Sequence, residues 1–107
     1  MYLEVITPEE VLFKGEVSAV QLPGKDGLFQ ILNDHAPLIA TLAIGTVRVR
    51  VADDTRTLDH MSSRVILDVT DDKLCTVEVK GGVVECKNNV ISVREQKDRL
   101  SLIIYII

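Results

Sequence analysis

The strongest constraint on the fold is a hydrophobic period of two, which occurs in short runs separated by turn residues. Between Thr46 and Ala52 three valines alternate with Arg48 and Arg50 (TVRVRVA), and LCTVEVK, residues 74–80, alternates in the same way. Successive side chains of a β-strand point to opposite faces, so the pattern predicts strands with one buried and one wetted face. Less regular runs of this kind, YLEVIT and GEVSAVQL, lie near the N-terminus.

Turn signals between these runs define the fold class. Strands that follow one another every 8–12 residues are typical of an all-β sandwich or barrel. We therefore expect a flattened antiparallel β-sandwich or barrel of about ten short strands. Asn88-Asn89 suits a two-residue hairpin, whereas Gly81-Gly82 fits either a hairpin turn or a bulge inside one long strand. The full set of turn signals is Pro23-Gly24, Asn33-Asp34, Ile44-Gly45, Asp53-Asp54, Asp71-Asp72, Gly81-Gly82 and Asn88-Asn89.

The connection over residues 53–73 is the least regular part of the chain. Leu58, Met61 and Val65 have weak helical spacing, while RVILDVT, residues 64–70, has the composition of a strand. We expect a loop or short turn here, followed by a strand.

Size and charge exclude several classes of partner. A chain of 107 residues forms one domain, and with only 4% aromatic residues its core must be aliphatic. Twelve basic residues are scattered among sixteen acidic ones, for a net charge of −4, so we expect no nucleic-acid partner. The longest apolar run, LSLIIYII at residues 100–107, is far shorter than the ~20 residues of a membrane helix, so we expect no direct membrane insertion.

No catalytic or metal-binding motif emerges from the sequence. It contains no Gly-x-Ser-x-Gly, His-x-His, His-Glu-x-x-His or phosphate-binding glycine pattern. His35 and His60 are better explained as contact and solvated residues, and the paired aspartates as turn formers. Cys75 and Cys86 fit reduced structural thiols. We expect no cofactor, no metal and no enzyme activity.

One stretch, Pro23 to Ile39 (PGKDGLFQILNDHAPLI), concentrates two prolines, two glycines and a histidine. Because Gly24 and Gly27 permit tight reversal and Pro37 fixes its own φ, this composition indicates loops of fixed shape. In a chain without catalytic groups, such loops favour a surface that contacts another molecule.

The chain resembles the N-terminal β-sandwich domain of the epsilon subunit of F-type ATP synthase. The resemblance rests on LEVITPEEVLFKGEV at the start, on VQLPGKDGLFQILNDHAPLIATLAIGTVRV in the centre and on VKGGVVECKNNVISV near the end. It implies an epsilon-type sandwich over residues 1–95, with a connection at 53–73 that is longer than usual. Residues 96–107 are then a short tail that is too short for the helical hairpin found in many members.

The resemblance also implies a function. Such a subunit belongs to the central stalk, or rotor, of a proton- or sodium-driven ATP synthase, and it performs no catalysis. It binds the gamma subunit and the c-ring, acts indirectly on the catalytic alpha/beta head, and lies peripherally on the cytoplasmic face of the bacterial inner membrane. The stretch Pro23–Ile39 would form loops at one end of the sandwich facing the c-ring, with contacts from Gly24, Asp26, Leu28, Asp34, His35 and Pro37.

Two alternatives stay open at this stage. A free-standing β-sandwich adaptor that binds other proteins would have the same fold and the same lack of catalytic motifs. A small metal-dependent jelly-roll enzyme would use His35 and His60 as ligands.

Overall fold

The computed structural model describes residues 1–52 and 58–96, and all regular structure in these two ranges is β. Within them no helix is long and apolar enough to cross a membrane. The predicted all-β class is confirmed. The strands are β1 (Tyr2–Ile6), β2 (Val11–Gly24), β3 (Gly27–Leu32), β4 (Leu38–Val51), β5 (Leu58–Met61), β6 (Ile66–Leu67), β7 (Leu74–Lys87) and β8 (Val90–Glu95).

The described strands are fewer and longer than predicted, because two turn signals lie inside strands. β2, β4 and β7 each have 14 residues. Ile44-Gly45 lies within β4 and Gly81-Gly82 within β7, and the β4–β7 pairing keeps one register past both, with Leu42 opposite Gly82 and Ile44 opposite Lys80. Long-range pairing therefore overrides the local turn preference.

The strands form one sheet that curls into a sandwich. Its order is β1-β8-β7-β4-β2-β3, and a further β1–β2 pairing brings the sheet back on itself. β1 and β8 pair in parallel, which is an exception to the expected antiparallel arrangement. The long β2 has β1 along its first half and β3 along its second half, with Glu16 opposite Tyr2 and Ala19 opposite Leu32.

The core is aliphatic, as the composition predicts. The valines of the TVRVRVA run are buried while Arg48 and Arg50 are exposed, so the period of two is confirmed there. Cys75 and Cys86 are free thiols in the same core. The largest fully buried side chains are Phe13, Leu3, Leu12, Leu22, Ile31 and Ile91.

The predicted hairpin at Asn88-Asn89 is confirmed. Both asparagines have positive φ, 53° and 64°, and they join β7 to β8. Two such residues form the type I′ turn, whose twist matches that of the strands it connects.

The connection after β4 differs from the prediction in its described part. Leu58–Met61 is not a loop but strand β5, which pairs with β2 through Phe13–Gly15. The expected strand in RVILDVT shortens to Ile66–Leu67, paired with β7. The expected loop is wrong for Leu58–Met61, because edge pairing with β2 determines the conformation there. Residues 53–57 and, in the predicted tail, 97–107 lie outside the described residues.

Candidate functional site

The first candidate loop is the tight turn between β2 and β3, which consists of Lys25 and Asp26. A Cβ on Gly24 would lie 2.6 Å from the carbonyl oxygen of Gly27 and 2.8 Å from the ring of Phe29, so only glycine fits there. Gly27 has a φ of 132°, which disfavours any residue with a side chain. The two glycines hold Asp26 at an exposed tip.

A cleft of about 510 Å³ lies between this turn and the start of β4. The backbone N–H of Lys25 donates to the carbonyl of Thr41 over 3.0 Å, which fixes the turn against β4. Leu28 and Ile39 both line the cleft and are 69% and 75% exposed. The turn therefore combines a charged tip with an apolar flank, a composition suited to contact with another protein.

The second candidate loop, residues 33–37, connects β3 to β4 and is bound to the Asn88-Asn89 turn. Asp34 has a φ of 61°, and its backbone N–H donates to Oδ1 of Asn89 over 2.9 Å. Nδ2 of Asn89 donates to Oδ1 of Asn33 over 2.9 Å, and the amino group of Met1 donates to the same oxygen over 3.2 Å. These bonds join the loop to two other elements and hold it in one conformation.

His35 and Pro37 are exposed on this second loop. Nδ1 of His35 lies 2.7 Å from the carbonyl oxygen of Ala36 and donates to it in the tautomer protonated there. This contact orients the ring and gives it no nucleophile to activate. His60 contacts the carbonyl oxygen of Val11 over 3.0 Å, and the described ranges contain no cluster of three or more His, Cys, Asp or Glu side chains able to hold a metal.

The structure does not place the six predicted residues at one end. β3 has six residues, about 20 Å in length, and it separates the two loops. Gly24, Asp26 and Leu28 lie at its start, whereas Asp34, His35 and Pro37 follow its end. The expectation of a single cluster of loops is wrong, because the two-residue turn closes immediately and returns the chain along β2.

Two exposed apolar residues near the first loop were not among the predicted site residues. Ile39 lines its cleft, and Ile44, which is 80% exposed, precedes Gly45, whose Cβ position lies 2.7 Å from Pro23. For Ile39 the signal was present in LIATLAIG, since a period of two that buries Leu42 turns Ile39 to the opposite face. Ile44 has the same parity as Leu42, so alternation alone does not predict its exposure.

The clearest pKa shifts have local causes away from both loops. The hydrogen bond from the Tyr2 hydroxyl to Oδ2 of Asp59, 2.7 Å long, raises the pKa of Tyr2 to about 12. Burial raises the pKa of Cys75 to about 11. Hydrogen bonds from Thr70 lower the pKa of Asp68. These pKa shifts follow from packing and turn structure, and none of these three residues lies in the two candidate loops.

Comparison with protein families identifies the family of the chain. Residues 1–75 match the family model described as the ATP synthase delta/epsilon chain, beta-sandwich domain. The chain belongs to this family. The β-sandwich of the family description is the architecture seen here, and the resemblance noted in the sequence is confirmed.

Curated members of the delta/epsilon family align with between about half and most of the chain. The ATP synthase epsilon chain of Leptospira borgpetersenii is 37% identical over 91 residues, which is 85% of this chain and 57% of the relative. The protein of the same name from Chlorobium limicola is 51% identical over 51 residues, 48% of this chain and 58% of the relative. The chain thus spans less than two thirds of the length of these relatives.

A solved structure shares the fold of this family member. A chain in a cryo-EM structure of the central stalk and c-ring of the Tetrahymena thermophila mitochondrial ATP synthase has a TM-score of 0.62. The match covers 91% of this chain and 63% of that one, at 16% sequence identity. At this identity the similarity establishes the fold alone.

Proposed function

We propose that this chain is a central-stalk, or rotor, subunit of a proton- or sodium-driven F-type ATP synthase. It binds the gamma subunit and the c-ring, couples ion flow to ATP synthesis in the alpha/beta head, and performs no catalysis itself. Residues 1–95 act as the binding domain. The complex holds the chain peripherally at the cytoplasmic face of the bacterial inner membrane.

Membership of the delta/epsilon family carries the proposal. The geometry of the two loops supports it, since each presents exposed groups on a backbone fixed by hydrogen bonds to other elements. A loop that is already ordered loses little conformational entropy on docking, which suits a joint that must transmit torque. The Tetrahymena chain of similar fold comes from a structure of a central stalk and c-ring, which agrees with this assignment.

The turn at Lys25–Asp26 offers the more direct contact with the c-ring. Asp26 supplies an exposed charge at the tip, and Leu28 with Ile39 supplies apolar surface beside it. Individual exposed charges contribute about 0–1 kcal/mol, so most of the affinity must come from the apolar contacts and from the gamma interface. Asp34 and His35 lie beyond the other end of β3, so they contact the c-ring at a second place about 20 Å away.

The test is co-purification from membranes of the native host. A tagged wild-type chain is compared with Asp26→Lys/His35→Glu, and the gamma and c-ring subunits are quantified by mass spectrometry. Both side chains are exposed, so the fold is expected to be unchanged. Because the variant reverses the charge at residue 26 and adds a negative charge at residue 35, it alters the electrostatic contact with the partner, and we expect c-ring recovery to fall about fivefold or more, with ion-coupled ATP synthesis falling in parallel.

The matched control is Asp72→Lys/Gln96→Glu, which makes the same change in net charge at two exposed positions outside the loops. It should recover both partners at the wild-type level. Single variants at Asp26 and His35 separate the two ends of β3. Normal c-ring recovery and normal synthesis with the double variant would contradict the placement of the loops, and absence of gamma from the wild-type sample would favour the adaptor function.

A further inference from the structure

One strand of the described sheet has an open edge. β3 pairs with β2 and with no other described strand. Gly24 and Gly27 face each other across a two-residue turn, and such a pair exchanges both backbone hydrogen bonds. Because bonded and non-bonded pairs alternate, Leu28, Gln30 and Leu32 direct their N–H and C=O groups outward. Between described residues, no hydrogen bond engages these outward groups.

The open edge lacks the features that usually prevent strand addition. The sequence of β3, GLFQIL, contains no charge and no proline, although charges, prolines and bulges are the common means of protecting an edge strand. Leu28 and Leu32 are 69% and 53% exposed along it. β5, which also pairs with β2 alone among the described strands, carries Asp59 and His60 instead. The edge of β3 is therefore suited to accept a further strand.

The sequence of β3 is nearly symmetric about Gln30. Phe29 and Ile31 lie next to it on either side, and Leu28 and Leu32 lie one position further out. A two-fold axis through Gln30 therefore places each leucine opposite the other leucine of a second strand. We infer that the edge of β3 pairs antiparallel with the same edge of a second copy of this chain, with the two Gln30 residues opposite each other.

This register is favoured because it engages every outward group. In an antiparallel pair an outward-directed residue must face another outward-directed residue, so the axis can move only in steps of one residue. Moving it one residue toward the turn would put Leu32 opposite Asp26 of the turn. Moving it the other way would put Leu28 opposite Asp34, beyond the strand. Only the axis at Gln30 pairs all three outward residues within the two strands.

The side chains of the two copies are compatible on both faces of the paired strands. On the exposed face, Leu28 of each copy meets Leu32 of the other. Between these leucine pairs the two Gln30 amides can bond to each other, since each amide both donates and accepts. On the core face the half-buried Phe29 lies opposite Ile31, and aromatic and β-branched pairs of this kind stabilise sheets.

The contact is small, so the dimer dissociates on dilution. It consists of Leu28–Leu32 from each copy, which is well below the about 800 Å² per partner of a standard interface. At each end the Lys25–Asp26 turn of one copy lies beside Asp34 of the other, where the lysine only partly offsets the two carboxylates.

The inference concerns the chain outside any complex and does not rest on the proposed function. Leu28 is also among the proposed c-ring contacts, so a self-paired copy cannot dock through it. The purified full chain is sufficient for the test, and failure of the pairing would leave the role in ATP synthase untouched.

Disulfide cross-linking tests the register. The Cα atoms of a bonded pair are about 5.5 Å apart, a distance that a disulfide spans, so we expect Gln30→Cys to cross-link under mild oxidation. Two copies of Leu28→Cys should not cross-link, since their residues 28 lie about 13 Å apart along the strands. A mixture of Leu28→Cys and Leu32→Cys should, because these positions face each other. Non-reducing gel electrophoresis measures the dimer, and wild type, whose own cysteines are buried, gives the background.

Analytical ultracentrifugation between about 10 μM and 1 mM measures the dimer without cross-linking. Leu28→Lys/Leu32→Lys puts like charges directly opposite each other, so we expect its dissociation constant to rise at least about tenfold. The matched control is Ile39→Lys/Ile44→Lys, which makes the same change in charge at two exposed apolar residues of β4. The control should dimerise as wild type does.

Three outcomes would overturn the inference. Wild type could remain monomeric over the whole concentration range, or its dimer could withstand Leu28→Lys/Leu32→Lys. Cross-linking of Leu28→Cys alone as fast as Gln30→Cys would exclude the register. A concentration-dependent wild-type dimer, lost in the lysine variant and kept in the control, together with selective cross-linking of Gln30→Cys, supports the inference.

Discussion

The sharpest stability prediction concerns Gly82, inside β7. A Cβ at this position would lie 2.1 Å from the carbonyl oxygen of Arg94 and 3.0 Å from Cα of Glu95, both backbone atoms of β8. An ordinary contact is longer by more than 1 Å, so β8 must move away from β7 in Gly82→Ala. Gly27 provides a matched control because its φ, 132°, is close to the 136° of Gly82 and open space surrounds its Cβ position.

The expected magnitude follows from that comparison. Placing alanine at either φ costs about 1–3 kcal/mol in backbone strain. Gly82→Ala additionally weakens about two hydrogen bonds of the β7–β8 pairing, at about 1 kcal/mol each. Gly82→Ala should therefore reduce the free energy of unfolding by about 2 kcal/mol more than Gly27→Ala, with a further fall in Tm on the order of 10 °C. Urea denaturation followed by far-UV circular dichroism measures both, and losses equal within about 0.5 kcal/mol would refute the steric argument.

Two further predictions follow from the pKa shifts. Cys75 and Cys86 are buried and their pKa values are raised, so few thiolates form at pH 8. We expect the native protein to react with iodoacetamide at least about 100-fold more slowly than the urea-unfolded protein, as followed by mass spectrometry. Equal rates would show that the core opens readily. Tyr2→Phe should lower stability by about 0.5 kcal/mol at pH 8 through loss of the bond to Asp59. The folded pKa of Tyr2 is raised from 10.0 to about 12, so this advantage of wild type is complete below pH 10 and is lost as the pH rises through 12. A difference in denaturation midpoint that persists above pH 12 would contradict this assignment.

The sequence alone determined the class of the fold and several of its local features. Alternation in TVRVRVA placed the valines inside and the arginines outside, because a pleated strand leaves no other choice once one face is buried. The Asn88-Asn89 pair predicted the hairpin between β7 and β8, since few residue types tolerate two successive positive φ values. The family was recognisable because the glycines, prolines and apolar residues from Pro23 to Gly45 are required by the local backbone conformation.

Only the tertiary structure decided which segments lie side by side. The turn signals at Gly45 and Gly81-Gly82 are genuine local preferences, but the β4–β7 pairing runs through both because a continuous ladder outweighs them. The short β5 exists because β2 offers it an edge. Likewise Asp26 and His35 are nine residues apart in the sequence yet lie beyond opposite ends of β3. The hydrogen bonds of Asn33 and Asp34 to Asn89 join segments that are more than fifty residues apart. Contacts of this range depend on how strands pair, which period and composition do not specify.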